Sequence, residues 1–568
     1  MAPPPAEGTR GPRLLGPLAS HAAMTRTEPS ALPGDPAVRP SWGDRLGAWS
    51  AIGLTTLPLA LAALLLCMAG LPDYALDGDG ALVELRIAEA VRFNQWLGSY
   101  SRLGFEHPGP LHLYLCAPFY AACDGRTGAL NLAVLVLQSL ALVTSLVLAL
   151  RADGPRLVVA GGLAASIYIA SLGQTLMTIW DPAMAILPLW LCIAGAGLAV
   201  GGRPAAAIPA VLAGSFAVQA HLSLVPPVAV ALGAVTLHAV ATIRNAPRET
   251  RRCYAIAIGT GLLSMLPTLV EQFWSRPGNL TLIAEALGAD GPRPSLADAL
   301  GITAAQLSAP VRDLLGLDEG LTTTMALAQL VAGAGAVVAA WRSESRALFG
   351  LACVALAVQA SAPLAVLRIV GEIRPHMLQW IATAGAVGLW PVIAALGLGS
   401  RRSRAASLRL AAAVILGCTV VYAGATRLAA QTLVFIASVE RDPGSAAGTP
   451  GLAILLDAIA AAVPDGPRDV QLRVLSADAP KPGYPDFTAG NGLVLGLKKR
   501  GFVVAPEPAH AFAYPRWMDV PGARPLNLVV FDPSNAARIV EPGKALATRD
   551  FGVVGFALFR EAPTLRSP

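Results

Sequence analysis

The sequence predicts an all-α polytopic membrane protein of about eleven transmembrane helices, followed by a small C-terminal α/β domain. Three observations lead there. Of the 568 residues, 54% are hydrophobic and only 14% charged, with mean hydropathy +0.57; ordinary soluble domains carry roughly 25% charged residues. Many apolar runs reach the roughly 20 residues that a helix needs to cross hydrocarbon. The composition then changes near residue 440, where Asp, Lys and Pro increase and every lysine of the chain is found (Lys481, Lys498, Lys499, Lys544).

Residues 1–44 are rich in Pro, Ala, Gly and Arg and lack apolar periodicity, so they read as a disordered leader. The first apolar run, Trp49 to Leu71, is too long and too late for a signal peptide and reads as a retained anchor. Arg26, Arg39 and Arg45 before it place the N-terminus in the cytoplasm. The clusters Arg244 to Arg252, Arg342 to Arg346 and Arg401 to Arg404 fix later loops on the same side. Spans are expected at about 253–270, 322–341, 347–366, 375–398 and 408–428. Between residues 107 and 244 six apolar segments appear, one more than the arginines allow. The segment 108–123 is short, opens with Pro-Gly-Pro, and is read as partial. The membrane domain thus covers 45–430, with its C-terminal end outside.

The tail, 440–568, reads as an extracytoplasmic α/β domain. Strands are expected at Val470 to Leu475, Phe502 to Ala505, Leu526 to Phe531 and Phe551 to Phe559, with a helix over Asn491 to Arg500 stopped by Gly501. No GxGxxG or Walker pattern accompanies its glycines, so no nucleotide site is supported. The net charge of +6 is scattered between apolar runs and is not a nucleic-acid signature. Seven cysteines lie in or beside apolar runs without a CxxC pair, which argues against zinc sites and a disulfide framework.

The chemistry concentrates after the first span. Asp73, Asp77-Gly78-Asp79, Glu84, Arg102, Glu106 and His107 follow one another within a short polar stretch. Carboxylates at a membrane boundary are costly unless they face water or one another, which makes them functional candidates. Asp77 and Asp79 are the expected catalytic pair: one as general base, the other orienting the acceptor or holding a divalent ion such as Mg or Mn. A solvated turn is the plainer explanation for Asp-Gly-Asp, but the surrounding charges favour a site. Glu106 and His107 precede Pro108-Gly109-Pro110 and are expected at a helix N-terminus suited to a phosphate. His221, Gln272, Arg374 and His376, with Gln174, Trp180-Asp181-Pro182, Gln219, Glu271, Glu372 and Gln379, stand near span ends on that same face.

The acidic first loop followed by Tyr100-Ser101-Arg102-Leu103-Gly104-Phe105-Glu106-His107-Pro108-Gly109-Pro110 resembles the multi-spanning glycosyltransferases of the GT-C superfamily. Its RgtA/B/C/D-like and protein-mannosyltransferase-like branch is especially similar. Ser215 to His221, and Glu271-Gln272 followed by Pro277-Gly278-Asn279-Leu280, also resemble segments of that branch. The resemblance covers about residues 45–400. It implies a polyprenyl-phosphate-linked sugar donor, a lipid, glycan or protein acceptor in the cell envelope, and work on the outer face of the plasma membrane. It also implies an acidic catalytic residue in the first outer loop, matching Asp77 or Asp79. Glu84, Arg102, Glu106, His107, His221, Gln272, Arg374 and His376 are then the expected substrate-binding set, with arginine suited to a lipid phosphate by its planar fork. The stretch Leu296 to Leu307 is amphipathic and is expected to lie over the site. A transporter or lipid flippase of envelope precursors is the alternative, and a scaffolding protein a third. Both would need other signals: internal repeats and mid-membrane polar groups for the former, a working tail for the latter.

Overall fold

The structure, a computed structural model, describes residues 42–101, 103–397, 404–441, 452–462, 469–476, 485–505, 514, 524–531, 545, 547–550 and 555–559. The expected leader therefore lies almost wholly outside the described residues, as does Arg102. In chain order the helices are α1 (Trp42–Met68), α2 (Gly78–Val91), α3 (Leu111–Ala122), α4 (Thr127–Asp153), α5 (Pro155–Leu172), α6 (Asp181–Met184) and α7 (Ile186–Val200). Next come α8 (Ala207–Ala220), α9 (Val225–Thr242), α10 (Arg248–Ser264), α11 (Leu266–Trp274), α12 (Asn279–Gly288) and α13 (Leu296–Leu315). They are followed by α14 (Thr322–Arg342), α15 (Arg346–Val366), α16 (Gln379–Leu396), α17 (Arg404–Arg441), α18 (Leu452–Ala462) and α19 (Pro485–Lys499).

Among the described residues nine helical segments are long and apolar enough to cross a membrane. The pair α10–α11, bent by 47°, makes a tenth. The sequence suggests about eleven; the shorter apolar segment Pro204–Ala220 falls outside this count. The protein is an integral membrane protein. As expected, α3 is too short to span: it has 12 residues. Two expectations are corrected. The span placed at 253–270 is broken at Met265, beside Pro267. The last span runs to Arg441 rather than ending near 428.

Burial sorts the helices. In α7, 94% of the spanning window is buried, against 28% in the spans of α9 and α14. A helix apolar on every face belongs at the centre of a bundle, and α7 packs on α4, α8, α9, α15 and α16. Trp190 on α7 stacks on Trp390 of α16 with ring centroids 5.8 Å apart. Without water between helices, close approach of small residues drives association. A Cβ on Gly197 would stand 2.6 Å from Leu351 Cα, so α7 and α15 touch backbone to backbone there.

Freed backbone groups inside the bundle are reclaimed by side chains, as a dry environment demands. Between α6 and α7 the helix breaks, and Gln138 of α4 donates to Ala183 O (2.8 Å) and accepts from Leu187 N (2.9 Å).

The tail carries a mixed five-stranded sheet of order β2-β1-β3-β5-β4. Its strands are β1 (Asp469–Ser476), β2 (Val503–Ala505), β3 (Arg524–Phe531), β4 (Ala547–Asp550) and β5 (Gly555–Phe559). β1 pairs in parallel with β2 and β3, and β5 pairs antiparallel with β3 and β4. The crossover helix α19 starts six residues earlier than expected, at Pro485, and packs on β1, β2 and, across the domain boundary, on α2. Of the strand expected at Phe551 to Phe559, Gly555–Phe559 forms β5 and 551–554 lie outside the described residues; β4 was not foreseen.

Candidate functional site

The first loop folds into two supports. Gly78, at φ +49°, turns the chain into α2, with Asp77 as the extended residue before it. Downstream, residues 97–107 form a small hairpin: Gly98 N donates to His107 O (2.9 Å), His107 N to Ser99 O (2.7 Å) and Ser101 N to Phe105 O (2.7 Å). Arg86 of α2, buried, ties the hairpin down through Gly98 O (2.9 Å) and Glu106 Oε1 (2.7 Å). Asn279 grips the other side, accepting from Glu106 N (2.8 Å) and donating to Glu106 O (2.7 Å). Its own N–H goes to Glu271 Oε2 at 3.0 Å.

This corrects the expectation for Glu106 and His107. They belong to the hairpin, not to a helix N-terminus. The helix starts at Leu111, whose N–H is taken by Gln219 Oε1 at 3.0 Å. Thr268 at the start of α11 donates to Pro108 O. Glu106 faces Arg86, which takes its Oε1 at 2.7 Å.

A cavity of about 930 Å³ opens beside the hairpin. Its polar wall carries Asp79, His107, Asp181, His221, Arg374 and His376, drawn from four separate regions of the chain. Leu82, Leu103, Phe105, Leu287, Val366 and Trp380 line it with apolar surface. The rings form a continuous face: His107 to His221 at 4.4 Å, His221 to His376 at 5.3 Å and His376 to Trp180 at 4.9 Å between centroids.

Burial holds the His107 imidazole far below its ordinary range, at about 3, helped by the nearby His112, Arg86 and His376. His221 is lowered by burial too, and by His107 and His376, with Asp181 opposing. Both are neutral near pH 7. His107 Nδ1 accepts from Leu222 N (3.2 Å), which leaves its proton on Nε2. The wall's fixed cations are Arg368 and Arg374, the latter braced by Glu372 at 2.7 Å. Asp79 accepts from Tyr100 OH at 2.7 Å and is otherwise exposed.

Of the expected substrate-binding set, His107, His221, Arg374 and His376 converge on this cavity, together with the catalytic candidate Asp79. Asp77 does not line it. Glu84 is fully buried elsewhere, among Tyr120, Thr127 and Lys499, because a carboxylate inside the protein must be paired. Gln272 bonds Thr281 Oγ1 (2.9 Å) and Leu280 N (2.8 Å), joining α11 to α12 away from the cavity. The expected amphipathic cover, Leu296 to Leu307, is part of α13, which packs against α5, α14 and α16; α12 contributes Ala286 and Leu287 to the cavity instead. Among the described residues no three His, Cys, Asp or Glu side chains gather as a metal site.

The sequence pointed to Trp180-Asp181 without giving them a role. Asp181, on the cavity wall, has its Oδ1 3.1 Å from Nε2 of the fully buried His112. Arg86 and His112 were missed, and Tyr100 was read only as part of the first-loop motif, without a role. Arg86 and His112 sit within helical apolar patterns, where a single polar residue reads as packing.

No family model matches the chain, and no curated protein sequence matches it. Solved structures do. The crystal structure of ArnT from Cupriavidus metallidurans bound to undecaprenyl phosphate superposes with a TM-score of 0.52 at 13% identity, covering 91% of this chain and 98% of that one. Its apo form gives 0.50 at 14% identity, covering 90% and 98%. The likeness extends over nearly the whole of both chains and shows that this chain shares their fold.

Proposed function

We propose that the protein is a membrane glycosyltransferase that takes a sugar from a polyprenyl-phosphate-linked donor. The acceptor is a component of the cell envelope, and the reaction runs on the outer face of the plasma membrane. The observation that supports this reading is the single cavity joining a carboxylate, an imidazole face and two guanidiniums beside apolar walls. A sugar-phosphate-lipid needs those surfaces together. A structural neighbour of the same fold holds undecaprenyl phosphate.

Glycosyl transfer passes through an oxocarbenium-like state. The acceptor hydroxyl oxygen bonds to the anomeric carbon as the carbon–oxygen bond to the lipid phosphate breaks. Asp79 takes the acceptor's proton, the work of a positioned general base. Arg374 and Arg368 meet the phosphate as its charge develops. Neutral His107 offers its Nε2 proton as a hydrogen-bond donor without adding charge. The arginine clusters at 244–252 and 342–346 lie at the opposite ends of their spans from the cavity, which agrees with a cytoplasmic N-terminus and an outer site.

A transporter draws its support from polar groups deep in the bundle. Gln219, the clearest of them, is fully committed to Ser215, Ser264 and Leu111. The deciding experiment pairs two measurements. Purified protein in nanodiscs should bind undecaprenyl phosphate. A deletion strain should lose one envelope glycan and accumulate its lipid-linked sugar precursor. Unchanged glycans would overturn the assignment, and precursor accumulating only on the cytoplasmic leaflet would overturn it in favour of a flippase.

A further inference from the structure

The tail domain reaches into the first loop at the place where the proposed base is mounted. Lys499, the last residue of α19, puts its ammonium 2.6 Å from Asp73 Oδ1, 3.1 Å from Glu84 Oε1 and 3.2 Å from Thr127 Oγ1. Lys498 lies 3.7 Å from Glu89 Oε1. Two turns earlier the contact is backbone to backbone: a Cβ on Gly492 would stand 2.7 Å from Leu76 O and 3.3 Å from Asp77 Cα. Asn491 donates to Gly78 O at 3.3 Å and accepts from Tyr514 OH. Thus α19 presses on the Leu76–Asp79 turn from one side while Tyr100 holds Asp79 from the other.

Burial pushes the Lys499 ammonium down, yet Glu84 and Asp73 outweigh it and hold the charge in place. Burial likewise pushes Asp73 up, and Lys499 with Thr127 outweighs it. Buried charges of this kind are costly unless paired. Removing the ammonium would leave Asp73 and the buried Glu84 facing each other, so the first loop can adopt this shape only with α19 docked.

We infer that α19 is a latch: Lys499 and Asn491 are positioning residues that set the Asp77-Gly78-Asp79 turn, so that the tail domain completes the site without touching substrate. The functional half rests on the proposed role of Asp79; the latch itself does not.

The test uses the full-length protein in nanodiscs as wild type, Lys499→Met, Lys499→Arg and Gly492→Val. Hydrogen exchange across residues 73–80 should rise at least ten-fold in Lys499→Met and Gly492→Val and stay near wild type in Lys499→Arg. Exchange in α4 and α7 should not change, which separates the effect from general unfolding. Undecaprenyl phosphate affinity should stay within two-fold, while Lys499→Met fails to restore the deletion strain's glycan and Lys499→Arg restores it. Unaltered exchange at 73–80 in both disruptive variants overturns the latch. Loss of protection in α7 together with 73–80 overturns it too, since the contact would then be general stability. Should wild type fail to bind undecaprenyl phosphate, the transferase reading falls while the exchange data still decide the latch.

Discussion

Arg86→Met is the sharpest probe of how the site is held. The guanidinium is buried and serves two acceptors, Gly98 O at 2.9 Å and Glu106 Oε1 at 2.7 Å. Methionine keeps most of the volume and removes the charge. Breaking a buried pair by deleting one partner costs about 3–5 kcal/mol, because the remaining charge stays uncompensated. The orphaned Gly98 carbonyl adds about 1–3 kcal/mol. Glu106 retains some exposure, 21% of its side chain, so the lower part of the summed range applies, about 4–5 kcal/mol in all. Such a cost exceeds what a hairpin of this size can hold on its own, since isolated hairpins are at best marginally stable. The expected result is local: residues 97–107 lose hydrogen-exchange protection, His107 leaves the imidazole face, and transfer activity falls. The double variant Arg86→Met/Glu106→Gln should recover at least about 1 kcal/mol of the loss, the coupling that contacting residues show in such cycles. Equal protection of 97–107 in wild type and Arg86→Met, or additive single and double variants, would refute the account.

Other expectations follow from the same geometry. Asp79→Asn should lower transfer about 10²–10⁴-fold with undecaprenyl phosphate binding retained, and Asp77→Asn should lower it far less; full activity of Asp79→Asn in a complementation assay would remove the base. Arg374→Ala should weaken undecaprenyl phosphate binding by about 1.5–3 kcal/mol, with Arg374→Lys intermediate, as read by titration in nanodiscs. His107 ordinarily binds a proton below about pH 6.5 but stays neutral in the fold to about 3, so the unfolded chain holds more protons between those values. Stability is therefore complete above about pH 6.5 and falls toward pH 3 by up to about 1.4 kcal/mol per unit for each such histidine; a flat thermal-stability profile from pH 7 to 5 contradicts this. Gly197→Leu should block α7 from α15 and abolish folded protein in detergent extracts, because backbone at 2.6 Å cannot yield to a side chain.

Much of the membrane domain was legible because bilayer thickness dictates run length, and length survives in a sequence. The partial α3 was legible for a similar reason: arginine placement allowed one crossing fewer than the apolar segments offered. The site was legible where charge met an apolar context, which is why His107, His221, Arg374 and His376 stood out. It was not legible where a partner comes from far along the chain. Lys499 is 426 residues from Asp73, and no local signal announces that pair. Glu106-His107-Pro108 misled for a physical reason: proline does open helices, but here Asn279 and Arg86 claim the preceding residues for a hairpin first. Leu296 to Leu307 has the right amphipathic pattern for a membrane surface, yet such a pattern equally suits packing on α16.

The distribution of partners across the first loop separates scaffold from chemistry. Asp73 and Glu84 meet Lys499, Glu89 meets Lys498 and Arg92, and Glu106 meets Arg86. Each of these four carboxylates already has an oxygen committed to a cation, and none of them lines the cavity. Asp79 is different among the described residues: its bond is to the neutral hydroxyl of Tyr100, and it stands on the cavity wall. A hydroxyl orients a carboxylate while leaving its second oxygen open to accept. The acidic loop thus needs its many charges for two reasons. Most anchor α2, the hairpin and α19 through ion pairs, and that anchoring lets one carboxylate remain uncommitted where a base is required. Exchanging the roles, by giving Asp79 a cationic neighbour through Tyr100→Lys, should depress transfer without loosening the hairpin. If activity survived that exchange, proton acceptance would have to lie with another group on the wall, Asp181 first.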